Sequence, residues 1–254
     1  MKMKTMDSAV LMMAVVALLV TSMPVYASEM DDRIESSARE SYVFKTYLSG
    51  DDIKIQSSDG AVTLTGIVSE EFHKSLAYET VAGLPGVKSV DNRLELKGAP
   101  PAANSDAWLS AKVKATLLFH RSVNASKTEV YVKDGIVTLA GEAENQAQKE
   151  LTTEYAKDVE GVKDVKNKMT VSKTSNKTVD RVIGNIDDAS ITAQAKMSLL
   201  LHRSTSARNT RVVTNNGVVT LEGVAENAAE KDLVTKLVKD IDGVKSVNNQ
   251  MTIE

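Results

Sequence analysis

Hydrophobic positions between residues 105 and 171 change period twice. Leu109, Val113, Leu117 and Leu118 recur at helical spacing, and Ser105 or Asp106 can cap the helix they predict. Thr128 to Lys133 then alternates, with Val130 and Val132 on one side, as a strand does. Asp134-Gly135 is a hairpin signal, and Ile136 to Ala140 is the returning strand, with Val137 and Leu139 inward. Ala147, Leu151, Tyr155 and Val159 stand four residues apart, which predicts a second amphipathic helix ended by Gly161. Val165, Met169 and Val171 alternate around Asn167 in a last strand. The order is helix, strand, strand, helix, strand.

The same series occurs twice more. Asp134-Gly135-Ile136-Val137-Thr138-Leu139-Ala140-Gly141 returns 82 residues later as Asn216-Gly217-Val218-Val219-Thr220-Leu221-Glu222-Gly223. It is anticipated 75 residues earlier by Asp59-Gly60-Ala61-Val62-Thr63-Leu64-Thr65-Gly66. Each block leads to a second signature: Pro85-Gly86-Val87-Lys88, Glu160-Gly161-Val162-Lys163 and Asp242-Gly243-Val244-Lys245. In the third copy Asp187 or Asp188 caps a helix bearing Ile191, Ala195 and Leu199. Leu233, Leu237 and Ile241 mark its second helix, and Val247, Met251 and Ile253 its last strand. The first copy lacks five residues around Ser49-Gly50-Asp51, between its first helix and first strand. Its second helix carries Leu76, Val81 and Leu84, and its last strand Leu94 and Leu96.

Repetition at this period predicts an α+β chain of three tandem αββαβ modules, each with two helices packed on a small three-stranded mixed sheet. The modules run over 33–97, 106–172 and 188–254, with linkers at 98–105 and 173–187.

Residues 1–27 read as a secretory signal peptide. Lys2 and Lys4 precede an uncharged run from Ala9 to Val20, and Val25-Tyr26-Ala27 ends in the pattern that signal peptidase reads. Cleavage is expected after Ala27, which places the protein in the periplasm. The alternative, a retained membrane anchor, needs about 20 apolar residues and the run is shorter. The absence of Cys removes disulfides, thiolate metal ligands and a lipid-modified N-terminal Cys.

The whole chain has 31 basic and 34 acidic residues; the leader takes two and one of these, which leaves 29 against 33 and a net charge of −4. A weakly acidic chain with 4% aromatic residues is not suited to general nucleic-acid binding.

The repeated glycines bracket a strand instead of crowding before a helix, so they read as turns and not as a phosphate loop. The equivalent pairs His120-Arg121 and His202-Arg203 close the first helices of the second and third copies. They suit the negative end of a helix dipole, or else form a shallow anion site. His73 has no counterpart, and the histidines do not converge as metal ligands do. No nucleophile elbow is present, and no enzyme activity, cofactor or metal is expected.

The candidate binding surface is the first helix and the loop after it. Lys196, His202, Arg203, Arg208 and Arg211 supply it in the third copy, and Trp108, Lys112, Lys114, His120 and Arg121 in the second. Phe119, Leu118, Met197 and Leu201 lie next to them. Basic residues beside apolar ones suit an anionic phospholipid surface, where each Lys or Arg contributes about 1 kcal/mol and Trp favours the headgroup level. The competing reading is that the apolar residues are core and the charges are a solvated face.

The Asp-Gly-x-Val-Thr-Leu-x-Gly block, followed by a helix and Gly-Val-Lys-x-Val-x-Asn, resembles the BON domain (bacterial OsmY and nodulation domain). With three copies behind a signal peptide, the chain is similar to the hyperosmotically inducible periplasmic protein family, which usually carries two. The resemblance implies an αββαβ fold without a catalytic centre. It further implies a role in envelope integrity or osmotic protection, with anionic phospholipid as partner in some members. Chaperone-like holding of unfolded envelope proteins is the alternative role.

Overall fold

The computed structural model describes residues 24–172, 186–205 and 207–254. Each module follows the expected order. In the second, helix α4 (Asp106–Phe119) leads to β4 (Thr128–Lys133), β5 (Ile136–Ala143), α5 (Gln146–Lys157), β6 (Asp164–Asn167) and β7 (Thr170–Val171). The third repeats it as α6 (Asp188–Leu201), β8 (Thr210–Asn215), β9 (Val218–Ala225), α7 (Ala228–Lys239), β10 (Ser246–Asn249) and β11 (Thr252–Ile253). The first has α1 (Pro24–Glu40), α2 (Tyr42–Thr46), β1 (Asp52–Ser58), β2 (Ala61–Val68), α3 (Glu71–Ala82) and β3 (Ser89–Leu96). The central strand of every sheet pairs antiparallel with the first strand and parallel with the last. The parallel step is possible because a helix supplies the crossover.

The two signatures turn out to brace one hairpin turn. Asp134 and Gly135 both have positive φ, 54° and 80°, the pair that a type I′ turn requires. The Asp106 carboxylate, at the start of α4, accepts both turn amides at 2.8 and 3.0 Å. Those two bonds, opposed by partial desolvation, hold its pKa below the ordinary carboxylate range. From the other signature, Lys163 N–H donates to Gly135 O at 3.0 Å. Asp31 and Asp188 repeat the carboxylate contacts, and Lys88 and Lys245 the backbone bond. At the far end of β5, Gly141 has φ of 107°, and a Cβ there would stand 2.1 Å from Lys127 O. Only glycine fits, which explains the closing residue of the Thr-Leu-x-Gly block.

The recurrent asparagine has a comparable task. Asn167 Nδ2 donates to Lys149 O and Thr153 Oγ1 of α5, and its Oδ1 accepts from Met169 N at 2.9 Å. Asn249 repeats all three bonds and Asn92 two of them. The side chain ties the last strand to the second helix; that strand divides into β6 and β7 in the second module but runs unbroken as β3 in the first. Asn167→Ala should cost about 1–2 kcal/mol by leaving the Met169 amide without its acceptor and removing the tie to α5. Urea denaturation checks this; a loss under about 0.5 kcal/mol would show the bracket to be idle.

Three expectations on packing need correction. The first helix of module one divides at Ser41, whose hydroxyl bonds Ala38 O and accepts from the Phe44 amide, so α1 stops and α2 restarts. The first half of the predicted second-helix stripe is displaced by one residue, whereas Tyr155 and Val159 pack as expected. Leu151 is 39% exposed and Ala147 faces solvent, while Gln148, Thr152 and Ala156 are buried. The Gln148 carbonyl oxygen caps Glu144 N and Thr152 bonds Gln148 O, so polar residues can line that face. Val171 is exposed as well, because β7 runs out at the sheet edge. The expected cleavage point after Ala27 falls in the first turn of α1, and the apolar run before it lies outside the described residues.

The modules meet through helices and leave the far sheet faces open, with Ile67, Tyr131 and Val213 exposed there. Helix α6 is the hub. Eleven of its residues are buried, on every side, against α3, α4 and α7. Tyr42 and Val43 of α2 donate their amides to Asp187 Oδ2 and Ser190 Oγ, and Tyr47 bonds Gln194. Phe119 joins the second module to the first through edge contacts with Tyr47 and Phe72.

Candidate functional site

The C-terminal ends of α4 and α6 are apolar, ending in Leu117-Leu118-Phe119 and Leu199-Leu200-Leu201, so the residues that follow are drawn into a packed seam. His120 is 1% and His202 6% exposed. Each makes an antiparallel bridge to the other module, His120 with Ile241 and His202 with Val159. Arg121 N–H donates to Asp240 O and Arg203 N–H to Asp158 O, both at 2.9 Å. The contact is reciprocal, so the second and third modules face each other across a pseudo-twofold axis.

Side chains extend the pairing. His120 Nδ1 lies 3.4 Å from Asp240 Oδ2, and His202 Nε2 lies 3.3 Å from Asp158 Oδ2. Asp240 also accepts the Tyr155 hydroxyl at 2.6 Å and the Ser122 hydroxyl. The His120 ring stacks on Tyr155 with centroids 3.9 Å apart, and its Nε2 meets Ser198 Oγ. Arg121 Nη2 bonds the Lys239 carbonyl. Burial raises the Asp240 pKa, but bonds from His120, Ser122 and Tyr155 outweigh it and hold the carboxyl below its usual range. Burial and the same carboxylate push the Tyr155 phenol up, so it stays protonated. Burial is the main cause that lowers the His202 pKa, despite Asp158.

Four residues expected on an open basic surface are therefore the seam between two modules: His120, Arg121, His202 and Arg203. Their apolar neighbours Phe119, Met197 and Leu201 are core. Of the others, Lys196 is bound to Glu79 of the first module at 2.7 Å and Arg211 to Glu222 across β8 and β9 at 2.8 Å. The Arg208 side chain lies outside the described residues. Trp108, Lys112 and Lys114 stay together on α4. Lys112 Nζ sits 4.3 Å over the Trp108 ring and 3.6 Å from Glu160, and Lys114 is exposed. The ten residues do not form one face, because α4 and α6 point their ends at each other.

Asp158, Asp240, Tyr155, Ser122 and Ser198 were not anticipated in this seam. A signal for the aspartates existed. Lys157-Asp158-Val159-Glu160-Gly161 and Lys239-Asp240-Ile241-Asp242-Gly243 occur in the two copies that also have His-Arg. The first copy has Gly50-Asp51 and Ala82-Gly83-Leu84 instead. Hook and acceptor are lost together, and the missing five residues are the hook's loop.

The first module gathers Ser69, His73 and Asp51, but not as a catalytic triad. His73 Nδ1 meets Asp51 at 2.6 Å, and the same nitrogen faces the Ser69 hydroxyl. A triad uses the two ring nitrogens separately. Asp51 also accepts Ser69 N–H, so the group staples the start of α3. Among the described residues no cluster of three His, Asp or Glu could hold a metal, and no helix is long and apolar enough to cross a membrane.

The BON domain family model matches residues 30–98, 105–173 and 187–254. The chain is 36% identical over 146 residues to the osmotically-inducible protein Y of Escherichia coli, covering 58% of this chain and 71% of that one. It is 31% identical over 163 residues to the outer membrane lipoprotein DolP of Haemophilus influenzae, covering 64% and 74%. A structural protein of the type III secretion system of Chlamydia trachomatis aligns over 89% of this chain and 92% of its own at 18% identity, but with a TM-score of 0.25.

Proposed function

Because the chain belongs to the BON domain family, we propose that it is a non-enzymatic periplasmic protein of the cell envelope, acting under osmotic stress, that touches anionic phospholipid headgroups through α4. One observation carries the choice of helix. The face of α4 that bears Trp108 and Lys112 corresponds to Ser190 and Gln194 of α6, which the first module covers. On α4 no other module covers that face, and Trp108 is partly exposed with Lys112 over its ring. An aromatic ring with an ammonium group over it, and the exposed Lys114 on the same helix, suits the headgroup level.

The test is co-sedimentation with liposomes of phosphatidylglycerol or of phosphatidylcholine alone, at low and high salt. Binding is expected for the anionic liposomes only, and should fall with salt. Lys114→Ala should weaken it about fivefold, the equivalent of about 1 kcal/mol per lysine at such a surface. Trp108→Ala should weaken it at either salt. Charge reversal at Arg203 is a poor probe, since that residue holds the seam. Absence of binding to both liposomes would sink the lipid contact and favour the holding of unfolded envelope proteins.

A further inference from the structure

The seam between the second and third modules is built around a histidine that has no room for a second proton. We propose that it is an acid-released latch, in which protonation of His202 separates the two modules. In the neutral ring Nδ1 accepts the Ser204 amide at 3.2 Å, so the ring proton belongs on Nε2, facing Asp158. A second proton can go only to Nδ1, where it meets the Ser204 N–H, donor against donor. The bond is lost, and the turn after α6 must move. Thr205 Oγ1 ties that turn to the Leu199 and His202 carbonyls, so it moves as a unit. It carries Arg203, whose amide makes one of the two reciprocal bonds across the seam.

The charged and titratable groups around the ring come from four elements. Asp158 comes from the end of α5, His120 from the end of α4, and Glu226 and Glu230, at the start of α7, line the same hollow as Arg203, Ser204 and Thr205. Arg203 lies on the ring's own turn. Asp158 favours the imidazolium; burial, His120 and Arg203 oppose it and prevail.

The sign follows. A histidine whose folded pKa lies below its unfolded value of about 6.5 is fully stabilising above that value, and the stabilisation is lost as pH falls below it. Asp240 works the same way but loses its contribution only through its own depressed, more acidic range. As pH falls from 7.5 to 5, the proton that His202 would take therefore works against the closed seam. The first module, with Gly50 and Gly83 at the corresponding places, does not share it. Release would uncover Val159 and Ile241, both fully buried in the closed seam.

The chain has no cysteine, so a labelled pair is simple to place. Lys133→Cys and Ser246→Cys put dyes on exposed positions of the second and third modules, and energy transfer reads their separation in the full chain. Transfer should fall reversibly from pH 7.5 to 5.0 with a midpoint below 6.5, while far-UV circular dichroism holds. His202→Asn keeps an acceptor near the Nδ1 position and cannot take the proton, so it should stay closed throughout. Constant transfer in the unsubstituted protein, the same transition in His202→Asn, or loss of the far-UV signal together with transfer would each overturn the proposal. An NMR titration of the His202 ring in the natural chain is independent of any variant's folding. A midpoint below 6.5 supports the latch, and one at or above 6.5 overturns it.

Discussion

Asp240→Ala should destabilise the protein by about 3–5 kcal/mol, the usual cost of removing one partner from a buried ionic cluster. The Asp240 side chain is 13% exposed and faces the Tyr155 hydroxyl, the Ser122 hydroxyl, His120 Nδ1 and, at 3.8 Å, the Arg121 guanidinium. Alanine offers none of them an acceptor. His120 Nδ1 lies too deep for water to replace it. The reciprocal residue makes the sharper comparison. Asp158 is 36% exposed and meets only His202 and Arg203, at 3.3 and 3.7 Å. Asp158→Ala should therefore cost less, about 1–2 kcal/mol, because this half-exposed carboxylate meets fewer groups, although the buried His202 Nε2 loses its neighbour. Urea denaturation of both variants decides the matter. Equal losses would mean that the seam is held by its backbone bridges and not by the carboxylate cluster.

Phe119→Ala should cost a similar amount, about 3–5 kcal/mol, since a fully buried ring leaves a cavity larger than neighbours can close. Its particular effect is on the first module. Phe119 is the last residue of α4, yet its ring lies edge-on to Tyr47, 5.6 Å away, and to Phe72 at 6.3 Å. Hydrogen exchange should therefore quicken in α2 and α3 as well as in α4. Leu139→Ala, buried in the second module's own core, is the control. It should cost about 2–5 kcal/mol while leaving exchange in α2 and α3 unchanged. If both variants loosen the first module alike, the chain unfolds as one unit and the Phe119 contact has no special role.

Much of the fold was legible because each module is braced locally. The turn at Asp134-Gly135, the strand end at Gly141 and the cap at Ser105 follow from backbone preferences of single residues. The displaced stripe on α5 was not legible, because polar Gln148 and Thr152 are buried by satisfying neighbouring backbone and hydroxyl groups, and a hydrophobic period cannot register that. The predicted binding surface divided for another reason. His120-Arg121 reads alike whether it faces solvent, a lipid or a protein; the bearing of α4 against α6 decides.

What the amino-acid order alone determined is the number of modules, the order of their elements and the residues that shape each hairpin. These depend on contacts within about 30 residues, such as Asp106 with Gly135, and such contacts repeat whenever the local pattern repeats. Only the tertiary structure decided that the second and third copies close on each other through His120, His202, Asp158 and Asp240, and that the first covers α6. Those pairings join residues more than 40 positions apart, and an isolated module has the same chemistry with its partners missing.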